Sequence, residues 1–127
     1  MPRQTLDIPG VPHHRNPIPQ GVRIGNMVFS SAVSGYDPDT GELPDDAAAQ
    51  VRNVFRNCRA LVEAAGGTVD DIARMSVLLR DLSVRSFVNE EWLAMFPDDD
   101  RPARHTARAE IAARFHIQIE LVAVLGT

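Results

Sequence analysis

Two runs of alternating residues near the C-terminal end constrain the fold more than any other feature of this chain. They cover residues 104–111 and 117–124, and their period of two predicts two β-strands, each with one buried face. If these strands pair, their polar positions share one face of a sheet. We single out Arg104, the first of those positions, as a ligand-binding candidate, because its guanidinium is a rigid fork of donors suited to a small carboxylate. The shared face would carry Arg104, Thr106, Gln118 and Glu120.

Two other segments have apolar residues at helical spacing. The first covers residues 45–65, with acidic residues at its start and Gly66-Gly67 at its end. The second follows Ser83, whose hydroxyl is suited to cap it. Both segments predict amphipathic helices that bury one stripe. The stripes are Val51, Val54, Phe55, Cys58, Leu61, Val62 and Ala65 in the first, and Val84, Phe87, Val88, Trp92, Met95 and Phe96 in the second.

The remaining strands complete the predicted order of elements. Residues 23–34 indicate a strand pair or one bent strand, with Gly25-Asn26 as a turn or bulge, and residues 74–79 indicate one more strand. Two strands, helix, strand, helix and two strands form an α+β fold with both helices on one sheet face. His105 is expected on that helix-packed face. The opposite face is too polar for a monomer core and too apolar for bulk water, which predicts burial by self-association.

Length and charge narrow the classes of function. The 127 residues predict a single domain, 1–127, with the proline-rich residues 1–19 as an extended N-terminal arm. The net charge of −4 argues against a protein held to nucleic acid by phosphate contacts. All 13 basic residues are arginine, so the chain cannot form a lysine Schiff base or supply a phosphate-binding P-loop lysine.

Cysteine and histidine usage predict a protein without metal or cofactor. Cys58 is the single cysteine, so an internal disulfide is impossible, and its place on a helix stripe predicts a buried thiol. No histidine pair has the i, i+4 spacing of a helix-borne zinc site. No segment has transmembrane length or a signal-peptide pattern, so we expect a cytoplasmic protein that makes no membrane contact.

An ordered set of motifs resembles the RidA (YjgF) family of small enamine and imine deaminases. The matching pieces extend over nearly the whole chain, and the strength of the resemblance comes from their order. They are residues 20–27, Ser31, residues 37–43, Gln50, Asn57, residues 62–66, residues 88–90, residues 102–104 (Pro-Ala-Arg) and residues 117–120 (Ile-Gln-Ile-Glu).

The resemblance implies a six-stranded mixed sheet with two helices on one face, of the chorismate-mutase-like kind. It also implies a homotrimer with three ligand clefts between subunits, and hydrolysis of a small enamine or imine acid to a 2-oxo acid and ammonia. In that reaction the family arginine, here Arg104, binds the substrate carboxylate. Ser31 and the backbone N–H of Ala32 are expected to assist it. Asn89 matches a further position of the cleft, and Thr106 and Ile18 occupy positions where the family has a cysteine and a tyrosine.

The chain departs from the family pattern at the positions of the residues that transfer protons. Gln118 occupies the position of the family's acid/base glutamate, and a neutral amide can hold a water but cannot act as a general base. Glu120, at the second glutamate position, is either the proton carrier or an interface partner for an arginine. Ile18 replaces a family tyrosine. His13 or His14 could take over the proton transfer near neutral pH, although a solvated arm is the simpler interpretation.

Two functions therefore remain open. The first is imine deamination, with Arg104 as the carboxylate anchor and a water held by Gln118 or Glu120. The second is a non-catalytic sensor or accessory protein that binds a small carboxylate, which the loss of the glutamate favours. A ribonuclease role, also attached to this family, is disfavoured by the acidic charge and the lack of an aromatic or basic RNA platform.

Overall fold

The computed structural model describes residues 2–12 and 16–126. Over that part of the chain two helices pack on one face of a six-stranded mixed sheet, which confirms the predicted α+β class. The strand order is β1-β2-β3-β6-β4-β5, with β4 and β5 parallel and the other pairs antiparallel. The elements in chain order are β1 (Gln4–Leu6), β2 (Gly21–Ile24), β3 (Met27–Ser30), α1 (Ala47–Ala64), β4 (Ile72–Leu79), α2 (Arg85–Met95), β5 (Ala103–Arg108) and β6 (Ile117–Val124).

The first helix forms where its periodicity predicts it. The Asp46 carboxylate accepts a hydrogen bond from Ala49 N at 3.0 Å and so satisfies one free donor of the first turn. At the other end Gly66 adopts a φ of +92°, which lets the chain leave the helix. The predicted stripe from Val51 to Ala65 is buried.

The second helix begins differently from the prediction. Ser83 does not cap it, because the Asp81 carboxylate accepts the Ser83 N–H at 2.9 Å and caps a short 3₁₀ turn, Leu82–Val84. α2 then starts at Arg85 without a side-chain cap. Because Asp81 lies two residues before Ser83 and caps the chain there, the first helical turn begins at Leu82, earlier than predicted.

The two C-terminal strands do not pair with each other, so the condition for their shared polar face is not met. Both pair with β4, which lies between them and buries Met75, Val77 and Leu79 fully. Residues opposite one another across strands share a sheet face. Arg104 lies opposite Met75, which in turn lies opposite Leu121.

Arg104 and Thr106 therefore point to the helix side of the sheet, whereas Gln118 and Glu120 point to the opposite face. The predicted shared face is wrong. His105 is also reversed: it lies opposite Ser76 on the side away from the helices and is exposed. Alternation determines which residues of one strand share a face. It does not determine the relative register of two strands that both pair with a third strand.

The core lies between the helices and the sheet, and the opposite face, which we call the open face, stays partly apolar. Met27 and Phe29 are each 37% exposed there and Val124 is 41% exposed. Cys58 is buried in the core as predicted, and burial raises the pKa of its thiol. Over the described ranges no helix is both long and apolar enough to span a membrane.

Candidate functional site

A cavity of about 420 Å³ opens beside the N-terminal segment. Its described walls come from residues 8, 11, 12, 16 and 18–20 of that segment, residues 31–34 and 36 after β3, residues 114–115 before β6, and Gln118 on β6. The volume suits a small-molecule ligand. Four residues proposed from the sequence line this cavity together: Ile18, Ser31, Ala32 and Gln118.

Polar side chains of α1 hold the loop that follows β3. The Asn57 amide donates to the carbonyl oxygens of Ser34 and Tyr36 at 3.0 and 2.9 Å, and the Asn53 amide donates to Gly35 O at 3.1 Å. Gly35 approaches the helix so closely that a Cβ there would lie 2.6 Å from Gln50 O. The loop wall of the cavity is thus fixed by buried amides and by a position that only glycine fits.

Ser31 and Gln118 both face the cavity through defined hydrogen bonds. The Ser31 hydroxyl donates to Pro19 O at 2.7 Å, and its backbone N–H donates to Gln20 O at 3.0 Å. The Gln118 amide donates to Ser34 Oγ at 3.1 Å, and its carbonyl oxygen has no hydrogen-bond donor among the described residues. Glu120 lies two residues further along β6 on the same sheet face and is exposed, outside the cavity wall.

Arg104 lies in a second place, on the edge strand β5 beside α2. Its guanidinium carbon is 5.2 Å from the ring centroid of Trp92, and its Nε donates to Thr106 Oγ1 at 2.7 Å. Stacking and this bond fix the plane of the fork. Within residues 2–12 and 16–126 neither of its Nη groups has a hydrogen-bond or carboxylate partner, so the end of the fork is open.

The surroundings of Arg104 are electropositive. Burial, together with the charge of Arg85, lowers the pKa of the Arg104 guanidinium. Asn89 is exposed on α2, one turn from Arg85 and one turn from Trp92, and so shares their helix face. A carboxylate bound at this edge would relieve the repulsion between the two arginines.

The proposed residues thus form two groups that one protomer does not bring together. Arg104, Thr106 and Asn89 belong to the β5–α2 edge, and none of them lines the cavity. His13 and His14 lie outside the described residues. In the described part of the chain no three His, Cys, Asp or Glu side chains cluster as a metal site would require.

Several cavity residues were not foreseen from the sequence, and three of them bring aromatic rings or a charge. Tyr36, Arg114 and Phe115 line the cavity, with the rings of Tyr36 and Phe115 packed edge to face at 6.1 Å. Residues 112–115 separate two alternating runs and have no periodicity of their own. The one available signal was the isolated aromatic residue Phe115, two positions before β6 begins at Ile117.

Comparison with known proteins agrees with this architecture. The family model described as Endoribonuclease L-PSP matches residues 11–125. A protein of Escherichia coli strain K12 named 2-iminobutanoate/2-iminopropanoate deaminase is 37% identical over 124 residues, covering 95% of this chain and 97% of that protein. RidA from a Psychrobacter species has a TM-score of 0.87 at 32% identity, covering 96% of this chain and 99% of that one.

A further solved structure, Escherichia coli TdcF with bound serine, has a TM-score of 0.86 at 32% identity over 97% of this chain and 99% of that one. Fold and cavity together define a small α+β protein with a cavity of small-molecule size at the rim of its sheet. With the sequence matches covering almost the whole chain, the protein belongs to the RidA (YjgF) family. The resemblance inferred from the ordered motifs is confirmed.

Proposed function

We propose that the protein hydrolyses small, reactive 2-imino or enamine carboxylic acids to 2-oxo acids and ammonia. The observation that carries the proposal is the open fork of Arg104, positioned by Trp92 and Thr106 for a carboxylate. The 37% identity to a 2-iminobutanoate/2-iminopropanoate deaminase supports the same reaction type. Imine hydrolysis needs little beyond positioning and modest proton transfer, since the substrate is already reactive.

The cavity supplies groups for the chemical step. Ser31 Oγ and the exposed backbone at Ala32 are suited to orient the substrate, while Ile18 closes the outer wall. The free carbonyl oxygen of Gln118 can hold the water that attacks the imine carbon. Glu120, further along β6, is our candidate for moving the proton to the departing nitrogen.

We propose further that the working form is a homotrimer, which would bring the two groups of residues together. The open face has apolar side chains that need covering, and the cavity lacks the carboxylate anchor that β5 carries elsewhere in the protomer. A cleft that joins the cavity of one subunit to the Arg104 edge of the next satisfies both needs. A cytoplasmic location stays a prediction.

The direct test of function is ammonia release from freshly generated 2-aminoacrylate or 2-aminocrotonate. The purified protein should accelerate release well above the uncatalysed rate, and pyruvate or 2-oxobutanoate should inhibit it by product binding. Absence of acceleration on both substrates would exclude the deaminase.

One observation favours the second candidate function, a non-catalytic carboxylate sensor. None of the described residues that line the cavity is a carboxylate, because the amide Gln118 stands where the resemblance places a glutamate. Saturable binding of a 2-oxo acid by calorimetry, without turnover of either substrate, would select the sensor over the enzyme.

The assembly has its own test, with matched phenylalanine variants. Light scattering should give about 42 kDa, three times the 14.0 kDa chain mass. Phe29 and Phe87 are both 37% exposed, but only Phe29 lies on the open face. Phe29→Glu should therefore dissociate the trimer, because the assembled form would have to bury the new charge, whereas Phe87→Glu should not. Monomeric wild type at micromolar concentration contradicts the shared cleft.

A further inference from the structure

The cavity has one charged side chain among its described lining residues, Arg114. Its guanidinium carbon is 4.5 Å from the ring centroid of Phe115, which itself is only 6% exposed. Stacking on a buried ring holds the side chain along the wall, and the residue remains exposed to an entering ligand. Arg114 is thus presented to the cavity in a restricted orientation.

The backbone around Arg114 is anchored to the core. The fully buried Gln50 amide donates to Arg114 O at 2.9 Å, and its carbonyl oxygen accepts from His116 N at 2.8 Å. Gln50 therefore holds the segment on both sides of Phe115. A guanidinium carried by so firmly held a segment is preorganised, which lowers the entropic cost of binding an anion.

The electrostatics of the cavity favour a negative group beside Arg114. Arg114 forms no ion pair with a carboxylate in the described ranges, and the remaining described lining residues are neutral. The side chain of Gln118 adds an amide rather than a competing carboxylate. An unpaired guanidinium in a cavity without acidic groups is a site for an anionic substituent.

We propose that Arg114 binds a second carboxylate, so that the preferred substrates are 2-imino dicarboxylic acids. This inference rests on the proposed function: Arg104 of the neighbouring subunit binds the carboxylate next to the imine, and Arg114 binds the one on the side chain. In the reaction, the oxygen of water bonds to the imine carbon, the carbon–nitrogen bond breaks, and nitrogen leaves as ammonia. The balance is imine plus water to 2-oxo dicarboxylate plus ammonia, with no oxidant or reductant.

The test compares 2-iminosuccinate with 2-iminopropanoate, each generated in the assay by an amino-acid oxidase. Wild type should have the higher kcat/KM for 2-iminosuccinate. Arg114→Gln should lower the ratio of the two kcat/KM values by about ten- to hundredfold, the usual effect of losing a charged hydrogen-bond partner. Arg114→Lys should restore part of the ratio. Arg59→Gln, an exposed arginine on α1 away from the cavity, serves as the matched control and should leave the ratio at the wild-type value.

Gln118→Glu gives a second, independent reading of the same inference. A carboxylate at this position should repel the side-chain carboxylate and lower the 2-iminosuccinate preference. An equal fall on both substrates in Arg114→Gln would overturn the inference, since Arg114 would then bind the shared carboxylate. An unchanged ratio in that variant, with the thermal transition retained, would overturn it as well.

Calorimetry with stable ligands separates this inference from the proposed function. Wild type should bind 2-oxosuccinate more tightly than pyruvate, and Arg114→Gln should remove the difference. If the protein turns over no imine yet shows this pattern, the deaminase proposal fails and the dicarboxylate site stands. If it deaminates both substrates equally and binds both oxo acids equally, the dicarboxylate site fails alone.

Discussion

Arg104→Ala is expected to lower kcat/KM for 2-iminopropanoate by roughly 30- to 1000-fold, or about 2–4 kcal/mol of transition-state binding. The reason is the loss of a fork whose Nε is fixed by Thr106 and whose Nη groups are open to the substrate carboxylate. Arg104→Lys should recover only part of the rate, because an ammonium cannot form the paired bonds. Steady-state assays at several substrate concentrations measure the effect.

Arg101→Ala is the matched control, since this neighbouring arginine donates to Phe96 O and does not line the cavity. It should retain activity within a few-fold of wild type. Arg104 also stacks on Trp92, so thermal unfolding and light scattering must accompany the assay. An unfolded Arg104→Ala protein would make the residue structural, and a folded variant with wild-type kcat/KM would remove it as the anchor.

Glu120→Gln should lower kcat by about 10²- to 10⁴-fold while the affinity for a 2-oxo acid stays near that of wild type. General acid/base catalysis typically contributes a factor of this size. Glu120 is the carboxylate on β6 that shares the sheet face of Gln118, and its exposure leaves it free to reach a cleft completed by a neighbour. Single-turnover ammonia release, combined with calorimetric binding of pyruvate, separates the chemical step from binding.

Glu63→Gln, an exposed glutamate on α1, provides the matched charge control and should behave as wild type. Wild-type turnover in Glu120→Gln would exclude Glu120 as the proton carrier. Attention would then move to His13 and His14, which a double substitution to glutamine would test. A dissociated Glu120→Gln trimer would instead identify Glu120 as an interface residue.

Local signals in the sequence were sufficient for the elements of the fold but not for their arrangement. The apolar stripe from Val51 to Val62 and the Asp46 cap determine α1 through interactions within a few residues. The arrangement of β5 and β6 depends instead on β4, which lies between them and comes from a distant part of the chain. A pattern of period two has the same appearance whichever strand lies beside it, so the face of Arg104 could not be predicted from alternation.

The candidate site was predictable only to the extent that motifs mark it. The loop at Ser31 and the position of Gln118 followed from the family resemblance, and the structure brings both to one cavity. Arg114 could not be predicted as a site residue, because its placement depends on a hydrogen bond from the Gln50 amide, 64 positions earlier, to the Arg114 carbonyl oxygen. A side chain positioned by such a distant hydrogen bond leaves no periodic or spacing signal in its own segment.

The place of β6 has a consequence for how the chain can fold. β6 is the last strand in chain order, yet it lies between β3 and β4 and alone joins β1–β3 to β4 and β5. During synthesis, neither half of the sheet can acquire its partner until residues 117–124 have left the ribosome. Until then the edges of β3 and β4 that β6 will join are unpaired, and exposed strand edges of this kind favour association between unfinished chains.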